Sequence, residues 1–199
     1  TGGTVTVAGG TLTGAATVGN ATSGTAILTQ TSGSTGAVTV SDRGTLNASG
    51  GTVGAVEAAV DFSGTAADVN LTGTAVVASL DLNAGAGHVV SNNAEVTGVV
   101  TIDNATLTQS GAGSKLGTDG TIASTVTVGT TGVLDVNGGM VGAIDNSGTT
   151  TIDSASATSL TNTANTSAVN AGGSVTTTTT VTGGTVTVAG GTLTGKATV

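Results

Sequence analysis

The chain alternates apolar and polar residues with a period of two over many short segments. Clear examples are Thr4–Val7, Ala37–Val40, Thr125–Val128 and Thr185–Val188. Side chains of a strand point alternately to two faces, so this pattern places Val on one face and Thr or Ala on the other. Helical spacing is not sustained anywhere, and Gly is too frequent for stable helices. The pattern therefore predicts an all-β protein with no significant helix, built from strands of about 4–6 residues separated by Gly, Asn, Asp and Ser turns.

A long repeat joins the two ends of the sequence. Residues 1–18 and 182–199 are identical at 17 of 18 positions, and only Ala15 and Lys196 differ. The pattern that starts at Thr1 thus starts again at Thr182, which defines a 181-residue offset. We therefore predict one continuous domain over 1–199, in which 1–181 is one long tandem repeat and 182–199 is the start of the next. Units of such arrays usually serve as building material.

A weaker repeat divides the long unit. Residues 38–56 (VTVSDRGTLNASGGTVGAV) match residues 126–144 (VTVGTTGVLDVNGGMVGAI) at ten of nineteen positions, at an offset of 88. This predicts that 1–181 consists of two divergent halves. A shorter similarity pairs Val5–Val7 with Val100–Ile102.

Composition narrows the possible architectures. The chain has 35 Gly, one Phe and one Met, and it has no Trp, Tyr, Pro or Cys. Biased Gly, Ser and Thr content is also typical of disorder, but the lack of Pro and the abundance of Val, Ile and Thr favour strands. Small apolar side chains suit a narrow core, such as that of a parallel β-solenoid. With about 20 residues per coil and strands about 4.8 Å apart, the repeat forms about nine coils rising roughly 43 Å, and the whole chain nine to ten.

The alternation also predicts which residues face inward near the end of the chain. If Val199 faces inward, Ala197 does too, and Lys196 points outward, where a charge is tolerated. The ends of such a stack are open strand edges that invite pairing. The predicted partner is therefore the protein itself, head-to-tail or within a longer array.

Charge excludes several partners. The net charge is −8, from eleven acidic residues against Arg43, Lys115 and Lys196. This balance argues against binding to nucleic acid or to an anionic membrane surface. No apolar run approaches the ~18–20 residues of a membrane-spanning helix, so no membrane insertion is expected.

Several phrases resemble known surface proteins. GGTVTVAGGTLTG (183–195), VDFSGTAADVNLTGTA (60–75) and IDNSGTTTID (144–153) resemble the strand–turn repeats of bacterial autotransporter passengers. They are also similar to filamentous-haemagglutinin-type adhesins and some surface-layer proteins. The resemblance implies a right-handed β-helix, located outside the cell or on its surface, that acts as a structural repeat of a fibre, adhesin or surface layer and forms a stiff rod by end-to-end stacking. It transfers no functional residues.

Two features suggest ligand binding as the alternative function. Acidic residues recur beside turns, and calcium prefers six to eight oxygen ligands. The candidate residues are Asp68, Asp81, Asp103, Asp135, Asp145 and Asp153. The sequence lacks the glycine-rich nonapeptide of calcium β-rolls, and ordinary turn chemistry, with Asp bonding nearby backbone N–H groups, explains the same pattern.

The second feature is the Thr-x-Thr pattern. It occurs at Thr4/Thr6, Thr11/Thr13, Thr125/Thr127, Thr149/Thr151, Thr185/Thr187 and Thr192/Thr194. Flat arrays of such pairs resemble the ice-binding face of some antifreeze proteins, and a repetitive polar face also suits glycans. Alternating Thr equally suits any solvated strand surface.

The sequence does not predict an enzyme. Polysaccharide-degrading sites usually need paired carboxylates and aromatic sugar platforms, but Phe62 is the only aromatic residue. The only histidine, His88, cannot form a histidine-rich metal site and is expected in a loop or at the surface. No cofactor other than calcium is suggested.

Overall fold

The chain folds as a parallel β-solenoid, as the alternation and composition predict. A computed structural model describes residues 2–19, 24–58, 68–83, 89–121 and 123–199. These residues contain strands and turns but no helix. The strands pair in parallel with strands of the next coil and form a stack of ten coils. The Val, Ile and Thr content favours this extended backbone, and the Gly residues occur mainly between the strands.

The first five coils contain eleven strands. They are β1 (Gly3–Leu12) and β2 (Ala16–Val18) in coil 1, β3 (Ala26–Thr35) and β4 (Val38–Val40) in coil 2, β5 (Gly44–Ala48) and β6 (Thr52–Ala58) in coil 3, β7 (Asp68–Leu71) and β8 (Val76–Leu82) in coil 4, and β9 (Val89–Asn92), β10 (Glu95–Val96) and β11 (Val100–Ile102) in coil 5.

The remaining five coils contain twelve strands. They are β12 (Thr106–Gln109), β13 (Lys115–Leu116) and β14 (Thr125–Val128) in coil 6, β15 (Val133–Val136) and β16 (Gly139–Asn146) in coil 7, β17 (Thr149–Ile152) and β18 (Ala155–Asn162) in coil 8, β19 (Thr166–Asn170) and β20 (Ser174–Val181) in coil 9, and β21 (Thr185–Ala189), β22 (Thr192–Leu193) and β23 (Lys196–Thr198) in coil 10.

Each coil has three faces. The first face contains the start of β1 and of β3, together with β5, β7, β9, β12, β15, β17, β19 and β21. The second face contains the ends of β1 and β3 and runs through β10 and β13 to β22. The third face begins at β2 and β4 and ends at β23. A residue on a given face therefore has a register partner on the same face of the next coil.

Aliphatic side chains fill the interior in columns that run along the axis. On the first face, Leu46 pairs with Val69, and both are fully buried, whereas their outward neighbours Thr45 and Asn47 are partly exposed. Each buried Val or Leu contributes roughly 1.5–3 kcal/mol, and the columns repeat this contribution in every coil. The predicted narrow core of small aliphatic residues is therefore present.

Both sequence repeats correspond to whole numbers of coils. On the second face, nine successive register partners lead from Leu12 to Leu193, which are equivalent positions of the 181-residue repeat. On the third face, nine partners lead from Ala16 to Ala197. Four partners lead from Val38 to Val126, so the 88-residue offset equals four coils.

The orientation of the last coil agrees with the alternation. Lys196 pairs with Thr178 and is exposed, while Ala197 pairs with Thr179, which is buried. Ala15, which occupies the place of Lys196 nine coils earlier, is also exposed. The single difference between the two end segments therefore lies on the outside of the solenoid.

Candidate functional site

The outer side of the first face carries two parallel columns of polar residues. Register partners lead from Thr6 through Thr29, Asn47, Asn70, Ser91, Thr108, Asp135, Thr151 and Ala168 to Thr187. Neighbouring members of a column lie about 4.8 Å apart. Asn70 Nδ2 donates to Asn47 Oδ1 over 3.0 Å, so the column is also linked by side-chain hydrogen bonds.

The predicted Thr-x-Thr pairs do not share one face. Thr4/Thr6, Thr149/Thr151 and Thr185/Thr187 lie on the first face. Thr125/Thr127 lies on the third face, and Thr11 and Thr192 lie on the second. The first face alone therefore presents a block of outward threonines, in coils 8–10, where Thr149 pairs with Thr166 and Thr166 with Thr185.

The acidic candidates for calcium are spread along the rod. Asp68 and Asp135 lie on the outer first face, in coils 4 and 7, and Asp81 and Asp145 lie on the outer third face of the same two coils. Asp103 and Asp153 follow β11 and β17 at two different corners. Among the described residues, no three His, Cys, Asp or Glu side chains come together as metal ligands do. Calcium binding stays a prediction, with no cluster of acidic side chains among those residues to support it.

A charged pair lies beside a shallow groove on the second face. Lys115 Nζ is 3.4 Å from Glu95 Oε2, and the two side chains are about 30% exposed. The same Nζ donates to the Asp119 carbonyl over 2.8 Å. Val76, Glu95 and Lys115 line the groove on successive coils. A partly exposed pair of this kind contributes at most about 1 kcal/mol to stability.

Inward-facing glutamines cap two equivalent corners. Gln30 is fully buried, and its Nε2 donates to the carbonyls of Gly50 (3.2 Å) and Thr52 (3.0 Å). Thr35 Oγ1 donates to Gln30 Oε1. Gly51 adopts φ +78°, and a Cβ there would lie 2.9 Å from Gln30 Nε2. The corner therefore needs Gly both for its backbone conformation and for the space that the amide occupies.

The second glutamine corner repeats this arrangement four coils later. Gln109 Nε2 donates to the carbonyls of Gly138 (2.8 Å) and Met140 (3.2 Å). Gly139 also has φ +78° and lies beside the Gln109 amide. Leu116 occupies the second-face position that Thr35 occupies beside Gln30. The two halves of the repeat thus build the same corner with different residues facing the glutamine oxygen.

Two buried asparagines form a third polar site inside the solenoid. Asn146 and Asn162 are register partners on the third face, and Asn146 Nδ2 donates to Asn162 Oδ1 over 2.8 Å. Thr150 Oγ1 donates to Asn146 Oδ1 (3.0 Å) and Ser167 Oγ to Asn162 Oδ1 (2.8 Å). Asn162 Nδ2 donates to the Gly183 carbonyl over 2.7 Å. The network therefore ties the corners of coils 7–10 together from within.

Sequence reasoning missed these inward amides, although a signal was present. In Leu28-Thr29-Gln30 and Leu107-Thr108-Gln109, the Gln stands at the apolar phase of the alternation. An amide at such a position must find buried partners, and corner carbonyls are the nearest acceptors.

The two ends of the stack expose the apolar columns. Val5 is 56% exposed and Leu12 37%, whereas Leu28, the register partner of Val5, is 3% exposed. Together with Ala16 and Val18, these residues line an apolar recess at the free edge of coil 1. At the opposite end, Val188 is 45% exposed. These two edges are the largest departure from the buried pattern of the inner coils.

Some predicted residues lie outside the described part of the chain. They include Phe62 and His88, so the expectation that His88 lies in a loop or at the surface stays a prediction. No helix of the described residues is long and apolar enough to cross a membrane. Comparison with protein families, curated proteins and solved structures gives no match.

Proposed function

We propose that the chain is a structural repeat of an extracellular bacterial fibre, adhesin or surface layer, and that it forms a stiff rod by end-to-end stacking of 181-residue units. One observation carries this proposal: the 181-residue offset equals nine register steps on each of the three faces. A unit that advances the axis by whole coils can be repeated without rotating its faces out of register. Its role is mechanical and not enzymatic.

The interior supplies the stiffness that this role requires. Every coil hydrogen-bonds to the next, as in the Ser147 N–H donating to the Val128 carbonyl (2.8 Å) and the Thr163 N–H to the Asn146 carbonyl (2.8 Å). The aliphatic columns and the Asn146–Asn162 network run through the same coils. Bending the rod would strain the hydrogen bonds and the packed columns together. The extracellular location rests on the resemblance of the strand–turn phrases to surface proteins.

Electron microscopy of tandem units tests the proposal. We would join one, two and three copies of the 181-residue unit, each ended by residues 182–199. We expect straight rods that lengthen by about 43 Å per unit, which is nine strand spacings. A control with a flexible Gly/Ser linker between two units should give rods joined at variable angles. Particles whose length does not grow with unit number would refute the rod.

A second candidate function is contact with a repetitive polar surface, such as ice or a glycan. The outward block formed by Thr149, Thr151, Thr166, Thr185 and Thr187 favours it, because side chains there have regular spacing in two directions. Ice-recrystallisation and glycan-binding assays test it. A Thr151→Lys variant should lose the activity, whereas Thr127→Lys on the third face should keep it. Equal activity of both variants and the unmodified chain would exclude the first face as the site.

A further inference from the structure

Glycines of coil 1 leave space that nothing in the described chain fills. A Cβ added at Gly14 would meet no atom within 4 Å. The equivalent glycine nine coils later is Gly195, where an added Cβ would overlap the backbone carbonyl of Thr177 in coil 9. Residue 195 must therefore be Gly because another coil packs on it. Gly14 stands at the same place without such a neighbour.

The same relationship holds at a second corner. A Cβ at Gly3 would meet nothing within 4 Å, whereas a Cβ at the equivalent Gly184 would overlap the Asn165 carbonyl and lie 2.7 Å from the carbonyl carbon of Ala164. Neither Gly3 nor Gly14 has a positive φ. Their backbone conformation therefore does not require glycine, and only a coil packed against the free edge of coil 1 would.

The apolar residues at this edge also match a stacked coil. Val5 and Leu12 are exposed at the free edge, although they belong to inward columns that are buried elsewhere. Their equivalents in coil 10 are Val186 and Leu193, which pack against the core of coil 9. The interface between coils 9 and 10 thus shows how this sequence accepts a neighbour on that side.

Charge does not oppose contact between ends. All eleven acidic residues fall between Asp42 and Asp153, so coils 1 and 10 contain none, and Lys196 is their only charged side chain. The acidic residues closest to the ends in sequence lie about two coils inward, roughly 10 Å along the axis. That distance is comparable with the ~8–10 Å Debye length at physiological salt. Repulsion therefore acts mainly between rods lying side by side and little between rods meeting end to end.

We infer that the free edge of coil 1 is a docking surface for coil 10 of a second copy of this chain, an inference that rests on the proposed end-to-end stacking. Thr185 of one copy would pair with Thr4 of the next, with Val186 over Val5 and Leu193 over Leu12. Gly3 and Gly14 make room for the incoming backbone. Each copy then adds ten coils, about 48 Å, whereas a covalent repeat adds nine, about 43 Å.

Sedimentation velocity on the 199-residue chain tests this inference. The unmodified protein should form oligomers that grow with concentration, with a rise of about 48 Å per copy in electron micrographs. Gly14→Ala should keep the melting temperature but sediment as a monomer over the same concentration range. Ala15→Lys is the matched control and should associate normally, because Lys196 holds the equivalent position beneath coil 9.

Two results would overturn the docking surface. One is an unmodified chain that stays monomeric up to millimolar concentration, and the other is a Gly14→Ala protein that associates as strongly as the parent. Gly3→Ala provides a second test if Gly14→Ala does not fold, and circular dichroism establishes which variants fold. The tandem-unit experiment is independent of this one, since covalently joined units can lengthen a rod even if free copies never associate.

Discussion

Thr6 and Thr187 occupy the same position on the first face, nine register steps apart along one column of outward side chains. They are also related by the 181-residue offset that relates the two ends of the sequence. The sequence repeat is therefore a translation along the solenoid axis. A chain with this property can grow without changing the chemistry of any face, which is the physical basis of the proposed fibre.

The buried asparagine network should be more important for stability than the outward asparagines. Asn162→Ala removes the donor to the Gly183 carbonyl and the acceptor that the Asn146 amide and the Ser167 hydroxyl share. We expect a loss of about 1–3 kcal/mol in the free energy of unfolding, since each unsatisfied buried group has a cost of this size. Denaturant titration measures it. Asn70→Ala on the outer face is the control and should cost less than about 0.5 kcal/mol; equal losses would contradict the assigned role.

The hydroxyl of Thr35 should be required by its glutamine partner. Thr35→Val preserves the shape of the side chain but leaves Gln30 Oε1 without its donor in the core. The expected cost is about 1–3 kcal/mol. Thr29→Val, at the outward neighbour of Gln30, is the matched control and should be nearly neutral or slightly stabilising. Urea unfolding of both variants decides between them, and a neutral Thr35→Val would show that the hydrogen bond contributes little.

Position along the stack should decide the effect of removing a large side chain. Leu12 and Leu116 lie in the same inward column, but Leu12 is 37% exposed and Leu116 is fully buried. Leu116→Ala should cost about 2–5 kcal/mol, the range for buried leucines. Leu12→Ala should cost clearly less in the 199-residue chain. In a tandem array, the equivalent leucine of the second unit lies between two coils, and its loss should approach the cost at Leu116. Similar costs in both chains would mean that coils do not stack on this edge.

Removing calcium should leave the melting temperature unchanged. The six candidate aspartates are distributed over corners and faces of different coils, and an isolated surface carboxylate binds calcium weakly. Differential scanning calorimetry with and without a chelator measures this. A melting temperature that falls on chelation and recovers on adding calcium would instead support the calcium site.

The sequence predicted the period and orientation of the strands but not the length of the coils. The inward and outward sides followed from alternation, as at Ala197 and Lys196. Coil length is less regular than expected, since the step from Thr108 to its register partner Asp135 is much longer than the step from Asp135 to Thr151. Corners tolerate insertions because they lie outside the ladder of paired strands.

Alternation also does not identify the face on which a strand lies. Val5 and Val100 head similar sequences, but Val5 lies on the first face and Val100 on the third. The capping amides were missed for a related reason. Gln30 and Gln109 break the apolar phase, and the carbonyls that satisfy them belong to corners of the following coil. Only the register of the coils brings these groups together.

The distance between Thr6 and Thr187 tests the central claim most directly. The chain has no cysteine, so Thr6→Cys with Thr187→Cys gives a specific pair of spin-label sites on the outer first face. Pulsed electron paramagnetic resonance should give a narrow distribution at about 43 Å for this pair, which is nine strand spacings. Thr6→Cys with Thr108→Cys, five register steps apart, should give one at about 24 Å. A broad distribution, or two distances that depart from a ratio of nine to five, would contradict the nine-coil translation.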